Sequence, residues 1–125
     1  MSVPWSAQER TEVEAGVRLH PVESGRCAAL ARVVLEVGQR RDKTASGKQI
    51  RPRGAARYVV PNHPSKPIWA SHTYVEAHRH AIDAMTGADG CETEHYLSRH
   101  WQHSDWLETI NVDVSTVDPG IQEDL

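Results

Sequence analysis

At 125 residues the chain has room for one domain and one modest hydrophobic core. A formal net charge of −3 with neutral histidines gives no electrostatic reason to expect a nucleic acid or a membrane surface as partner. No apolar stretch nears the ~18 residues of a membrane-spanning helix, and two cysteines do not make a disulfide scaffold, so a reducing, cytoplasmic setting is the default expectation.

The segment from Met1 to Arg10 is polar and charged and lacks the apolar core of a signal peptide. Delivery outside the producing cell would therefore use a route that leaves no such mark. Gln8 to Val17 carries a weak helical pattern, and Pro21 then breaks the chain. Ser24 is placed to cap a helix over Gly25–Val37, with Cys27, Leu30, Ala31, Val34 and Leu35 as its core-facing stripe. Gly38 is a suitable stop. Residues 39–56 are polar, hold Gly47, Pro52 and Gly54, and carry the basic cluster from Arg40 to Arg57; they read as a solvated loop.

Arg57–Val60 is expected to be a short strand, followed by a crossing marked by Pro61, Pro64 and Pro67. Ile68–Ala77 reads as a longer strand. Alternation puts Ala70, His72 and Tyr74 on one face and Trp69, Ser71, Thr73 and Val75 on the other. His78 and Arg79 form a tight hairpin turn into a second strand, His80–Ala84. Thr86–Gly90 is a loop, Glu92–Trp101 a helix with Tyr96 and Leu97 inward, and Thr109–Ser115 a last strand. This order predicts an α+β domain with an antiparallel sheet.

Cys27 falls in the first turn of its helix, where unpaired backbone N–H groups favour thiolate over thiol. Gly25, Ala28 and Ala29 are small enough to let a substrate backbone approach. A histidine at position 72, within an otherwise apolar strand, needs a polar partner. Asp83 lies on the next strand of the hairpin and can fix the ring's tautomer, which leaves the other nitrogen for the thiol. Taken singly, Cys27 also fits a buried apolar residue and His72 a satisfied core histidine.

Gly25-Arg26-Cys27-Ala28-Ala29-Leu30-Ala31, opening a helix, resembles the cysteine motif of the papain-like fold. His72-Thr73-Tyr74-Val75-Glu76 and Ala81-Ile82-Asp83-Ala84-Met85-Thr86-Gly87 resemble its histidine and aspartate strands. The chain is most similar to small bacterial papain-fold toxin domains, and is also similar to transglutaminase-like cysteine proteases. The resemblance spans Ser24 to Val114. It implies a papain-like catalytic domain over 21–115, between an N-terminal segment 1–20 and an acidic tail 116–125. It further implies Cys27 as nucleophile, His72 as general base and Asp83 as orienting carboxylate. The implied activity is deamidation, proteolysis or transamidation of protein or peptide amides through a thioester, without a cofactor. The toxin likeness implies an immunity or inhibitor protein as a partner. Gln8 lies upstream, where papain-type enzymes keep a glutamine, but its neighbours do not match their motif.

Two other readings compete. One is a non-catalytic binding or adaptor module on the same fold. The other is a zinc-binding structural domain, prompted by eight histidines, the His78/His80 pair and the grouping of Cys91, His95, His100 and His103. Cys91 and His95 would share a helix face. The tight ligand pairs of structural zinc modules are absent, so a solvated histidine-rich surface is the preferred account of this segment. Cys91, after Gly90, is expected to lie in an exposed loop open to oxidation. Trp69 and Trp101 are candidates to line a substrate groove.

Overall fold

The capping box at the start of the first helix is built from sequence-local chemistry. Ser6 accepts from the Glu9 N–H, and the Glu9 carboxylate accepts from the Ser6 N–H. A computed structural model describes residues 2–117. Helix α1 spans Ala7–Leu19 and helix α2 spans Cys27–Gly38. Strands β1 (Ser46–Pro52), β2 (His72–Ala77), β3 (His80–Ile82) and β4 (Cys91–Glu92) follow, then helix α3 (Thr93–His100) and strand β5 (Leu107–Val112). The strands form one antiparallel sheet in the order β4-β3-β2-β1-β5. The chain is therefore α+β, with three α-helices among the described residues.

Each face of the sheet has its own core. Leu30, Ala31, Val34 and Val37 of α2 pack on Val75 and Ala77, together with Val3 and Val13 from the N-terminal 20 residues. The opposite face is aromatic, built from Trp69, Tyr74, Tyr96 and Trp101 around Ile50, Val59 and Ala81. Along β2, therefore, odd residues meet α2 and even residues meet the aromatic layer, as a period of two requires.

Several expected boundaries are corrected. The polar stretch 39–56 is not all loop: Ser46–Pro52 is the strand between β2 and β5. Backbone pairing on both edges holds it, so few large apolar side chains are needed. Gly47 is required there, because a Cβ would stand 2.5 Å from Val114 Cγ1 and 2.7 Å from the Val112 carbonyl oxygen. The expected strand Arg57–Val60 reduces to a single bridge between Val59 and Trp69, because prolines at 61, 64 and 67 remove ladder donors. The last strand begins at Leu107 and ends at Val112, two residues earlier and three residues shorter at its end than expected. The hairpin turn at His78 and Arg79 is as expected. Both have positive φ (50° and 63°), and Ala77 pairs with His80, so the turn has the two-residue form that suits strand twist. The tail 116–125 lies outside the described residues from position 118.

Candidate functional site

Ser24 does not cap α2. It belongs to a short 3-10 turn, Val22–Ser24, and its hydroxyl donates to the Pro21 carbonyl while accepting from the Arg26 N–H. Gly25 at φ 67° then turns the chain, and Arg26 takes the cap position without a side-chain hydrogen bond. Cys27 thus becomes the first residue of the helix rather than the third. Its N–H and the next ones lie beyond the reach of the helix's own carbonyls, and they give this end of α2 its positive character.

The hairpin geometry explains why the sulfur has a place to sit. Ala77 exchanges hydrogen bonds with His80, so by alternation Val75 and Thr73 also turn their backbone groups toward β3. Strand β3 ends at Ile82, which leaves the Thr73 N–H without a strand partner. Cys27 Sγ fills the position, accepting from the Thr73 N–H at 3.4 Å. The half-buried sulfur lies beside a narrow, mostly apolar cleft lined by His20, Pro21, Gly25, Arg26, Trp69 and His72.

His72, 3% exposed, points from β2 into the aromatic layer. Its Nε2 meets Asp83 Oδ2 at 2.9 Å. Its Nδ1 is buried without a hydrogen-bond partner, and the thiol of Cys27 is close enough to act on the ring as its second polar neighbour. Trp69 stacks on the ring at 5.5 Å with an interplanar angle of 10°, Tyr74 lies on it at 6.2 Å and 12°, and Trp101 tilts against it at 5.0 Å. Trp69 therefore shares the His72 side, contrary to strict alternation, because it precedes the regular strand. Of the two tryptophans expected to line a groove, Trp69 lines the cleft beside Cys27.

Asp83, 2% exposed, stands one residue past β3. Its Oδ1 accepts from the Met85 and Thr86 N–H groups, both at 2.9 Å. Its Oδ2 accepts from His72 Nε2 and from the Tyr96 hydroxyl. Thus the structure brings together Cys27, His72 and Asp83, and adds Tyr96. Sequence reasoning placed Tyr96 only as an inward-facing aromatic residue. The signal that could have found it is the need of a buried phenol for a polar partner.

Electrostatics follow from these contacts. Burial pushes the Cys27 thiol up, but hydrogen bonding and charge from His72, with the Thr73 N–H, bring it below its ordinary value. Burial pulls His72 down, yet Asp83 and Cys27 together raise it to about 9. Burial opposes ionisation of Asp83 as well, and the His72, Tyr96 and Thr86 contacts hold its carboxyl below the usual range. The thiol is lowered and the imidazole raised, the two directions in which a thiolate–imidazolium pair is stabilised.

The histidine-rich segment is arranged otherwise than a Cys91–His95 zinc site needs. Cys91 is not in an exposed loop: it is buried in β4, 3.8 Å from Arg99 Nη1, so the expected openness to oxidation is also corrected. Its apolar surroundings explain the burial. Among the described residues the cluster of metal-ligating type is Glu92, Glu94 and His95, without Cys91. His80 Nδ1 bonds the His78 carbonyl oxygen across the turn. No helix among the described residues is long and apolar enough to cross a membrane. Comparison of the chain with protein-family models, curated proteins and solved structures gave no match.

Proposed function

We propose that this chain is a cysteine-dependent acyl-transfer enzyme with a papain-like arrangement, acting on protein or peptide amides. The observation that carries the reading is the orientation of His72, with Nε2 held by Asp83 and the other nitrogen left to Cys27 at a helix N-terminus. A carboxylate on one ring nitrogen fixes the tautomer and leaves the second nitrogen to exchange a proton with sulfur.

In this mechanism the Cys27 thiolate attacks the amide carbon and forms a C–S bond, and the carbonyl oxygen gains the electron pair. The imidazolium of His72 protonates the leaving nitrogen as the C–N bond breaks, which gives a thioester and neutral His72. Water or an amine then attacks the thioester, giving its proton to His72 and releasing the thiolate. The N–H of Cys27 at the start of α2 is a donor for the oxyanion. Loss of ammonia from a glutamine side chain, loss of a peptide amine, and capture by a lysine differ only in the leaving and attacking groups. The sequence resemblance to small bacterial toxin domains is what prompts the further proposal of an effector with an immunity protein as partner.

The test is intact-mass analysis of candidate target proteins after incubation with wild-type chain and with Cys27→Ala. A mass change produced by the wild type alone is expected. A thiol that alkylates at an ordinary rate and is indifferent to His72→Ala would remove the basis of the proposal. The narrow cleft and the enclosed imidazole favour a second reading, a non-catalytic binding module in which the His72–Asp83 pair stabilises the sheet. Slow alkylation with no mass change in any target is the result that selects it.

A further inference from the structure

Asp83 has one oxygen fully engaged by backbone and one shared by two side chains. Oδ1 accepts the Met85 and Thr86 N–H groups, and this alone fixes the carboxylate's orientation on its turn. Oδ2 serves both His72 Nε2 and the hydroxyl of Tyr96, which projects from the first turns of α3 and is 1% exposed. Burial obliges the phenol to find a polar partner, and the partner it finds is the oxygen the imidazole already uses.

We propose that Tyr96 is a positioning residue that tunes His72 through Asp83: its hydroxyl draws on the same carboxylate oxygen and so limits the charge the imidazolium receives. This rests on the acyl-transfer reading above. The consequence is chemical. An imidazolium held too tightly by its carboxylate is a poor acid toward the leaving nitrogen, and one held too loosely does not keep the thiol ionised. A donor on the shared oxygen sets the balance between the two. The phenol is itself pushed well above its ordinary value by burial and the Asp83 charge, so it stays a donor over the working pH range.

The groups facing this pair from each packed element are Cys27 of α2, His72 and Tyr74 of β2, Cys91 of β4 and His100 of α3, with Arg99 acting on the last two. Of these, His100 lies against the Tyr96 ring, with centroids 5.7 Å apart, and is the titrating group a test must separate.

The experiment measures the rate of Cys27 alkylation by iodoacetamide against pH, on the full chain carrying Cys91→Ala. Tyr96→Phe is expected to lower the apparent pKa of the profile by about half a unit or more, because Asp83 Oδ2 then serves His72 alone. Fluorinated tyrosines at position 96 keep the shape and strengthen the donor, and they should move the profile upward in order of phenol acidity. That series answers the question even if Tyr96→Phe does not fold. His100→Gln should leave the dependence in place. A profile that ignores phenol acidity, while His72→Ala still shifts it, overturns the role of Tyr96 and leaves the acyl-transfer reading standing. A profile that ignores His72→Ala as well removes both.

Discussion

Replacing Asp83 by Asn keeps the volume of the side chain and removes its charge, so it isolates the electrostatic part of the site. Asp83 accepts four hydrogen bonds, two on each oxygen. An asparagine has one carbonyl oxygen. Whichever way it turns, its amide NH2 faces either the two backbone N–H groups or the His72 and Tyr96 donors. At least two hydrogen bonds to a charged acceptor are lost, each worth about 1.5–3 kcal/mol. Breaking a buried pair by removing one partner costs about 3–5 kcal/mol, and we expect a loss in that range. For a domain of this size the melting temperature should fall by about 10–20 °C.

The sign of the pH dependence is also set. The carboxyl of Asp83 is lowered on folding, so its contribution is present above the unfolded value of ~4 and fades as pH falls through the folded value. His72 is raised to about 9, so its contribution is present below the unfolded value of ~6.5 and is lost as pH rises through about 9. The gap between wild type and Asp83→Asn should be widest between about pH 4 and pH 6.5 and narrow on both sides. Urea unfolding across this range measures it. A variant within about 0.5 kcal/mol of wild type near pH 5.5 would refute the reasoning, since changes that small are typical of exposed positions away from such features.

Other outcomes follow from the same geometry. His72→Ala should move the pH profile of Cys27 alkylation upward, because burial then acts on the thiol without the imidazole to offset it; iodoacetamide kinetics check this. Gly47→Ala should destabilise by about 1–3 kcal/mol, since the new Cβ meets Val114 Cγ1 and the Val112 carbonyl, and urea midpoints report it. Ser6→Ala removes one arm of the capping box on α1 and should cost about 1 kcal/mol in the same assay.

Particular residues show what the sequence could and could not reveal. The α2 stripe of Leu30, Ala31 and Val34 was legible because period and composition agree, and all three are buried. The meeting of His72 with Asp83 was legible because a two-residue turn at His78 and Arg79 fixes the register of the strands on either side. Strand β1 was not, because its stability comes from pairing on both edges while its residues are Ser, Gly, Lys, Gln, Ile, Arg and Pro. Ser24 resembles a helix cap, yet the left-handed Gly25 lets the chain make a separate turn first. That the Tyr96 hydroxyl needs a polar partner is legible, but that the partner is Asp83 was not, because α3 approaches Asp83 only through the folded sheet and no local spacing encodes that approach.

The path by which the parts meet has a consequence for the nascent polypeptide. His72 and Asp83 are 11 residues apart and come together when a single hairpin closes, whereas Cys27 joins Thr73 across 46 residues and needs the first helices to dock. Loop closure of that length and the docking of separate elements come at greater entropic cost than a local turn. The contacts with His72 and Thr73 that lower the Cys27 thiol exist only where these distant parts have docked, so the shift belongs to the assembled domain and not to the hairpin alone.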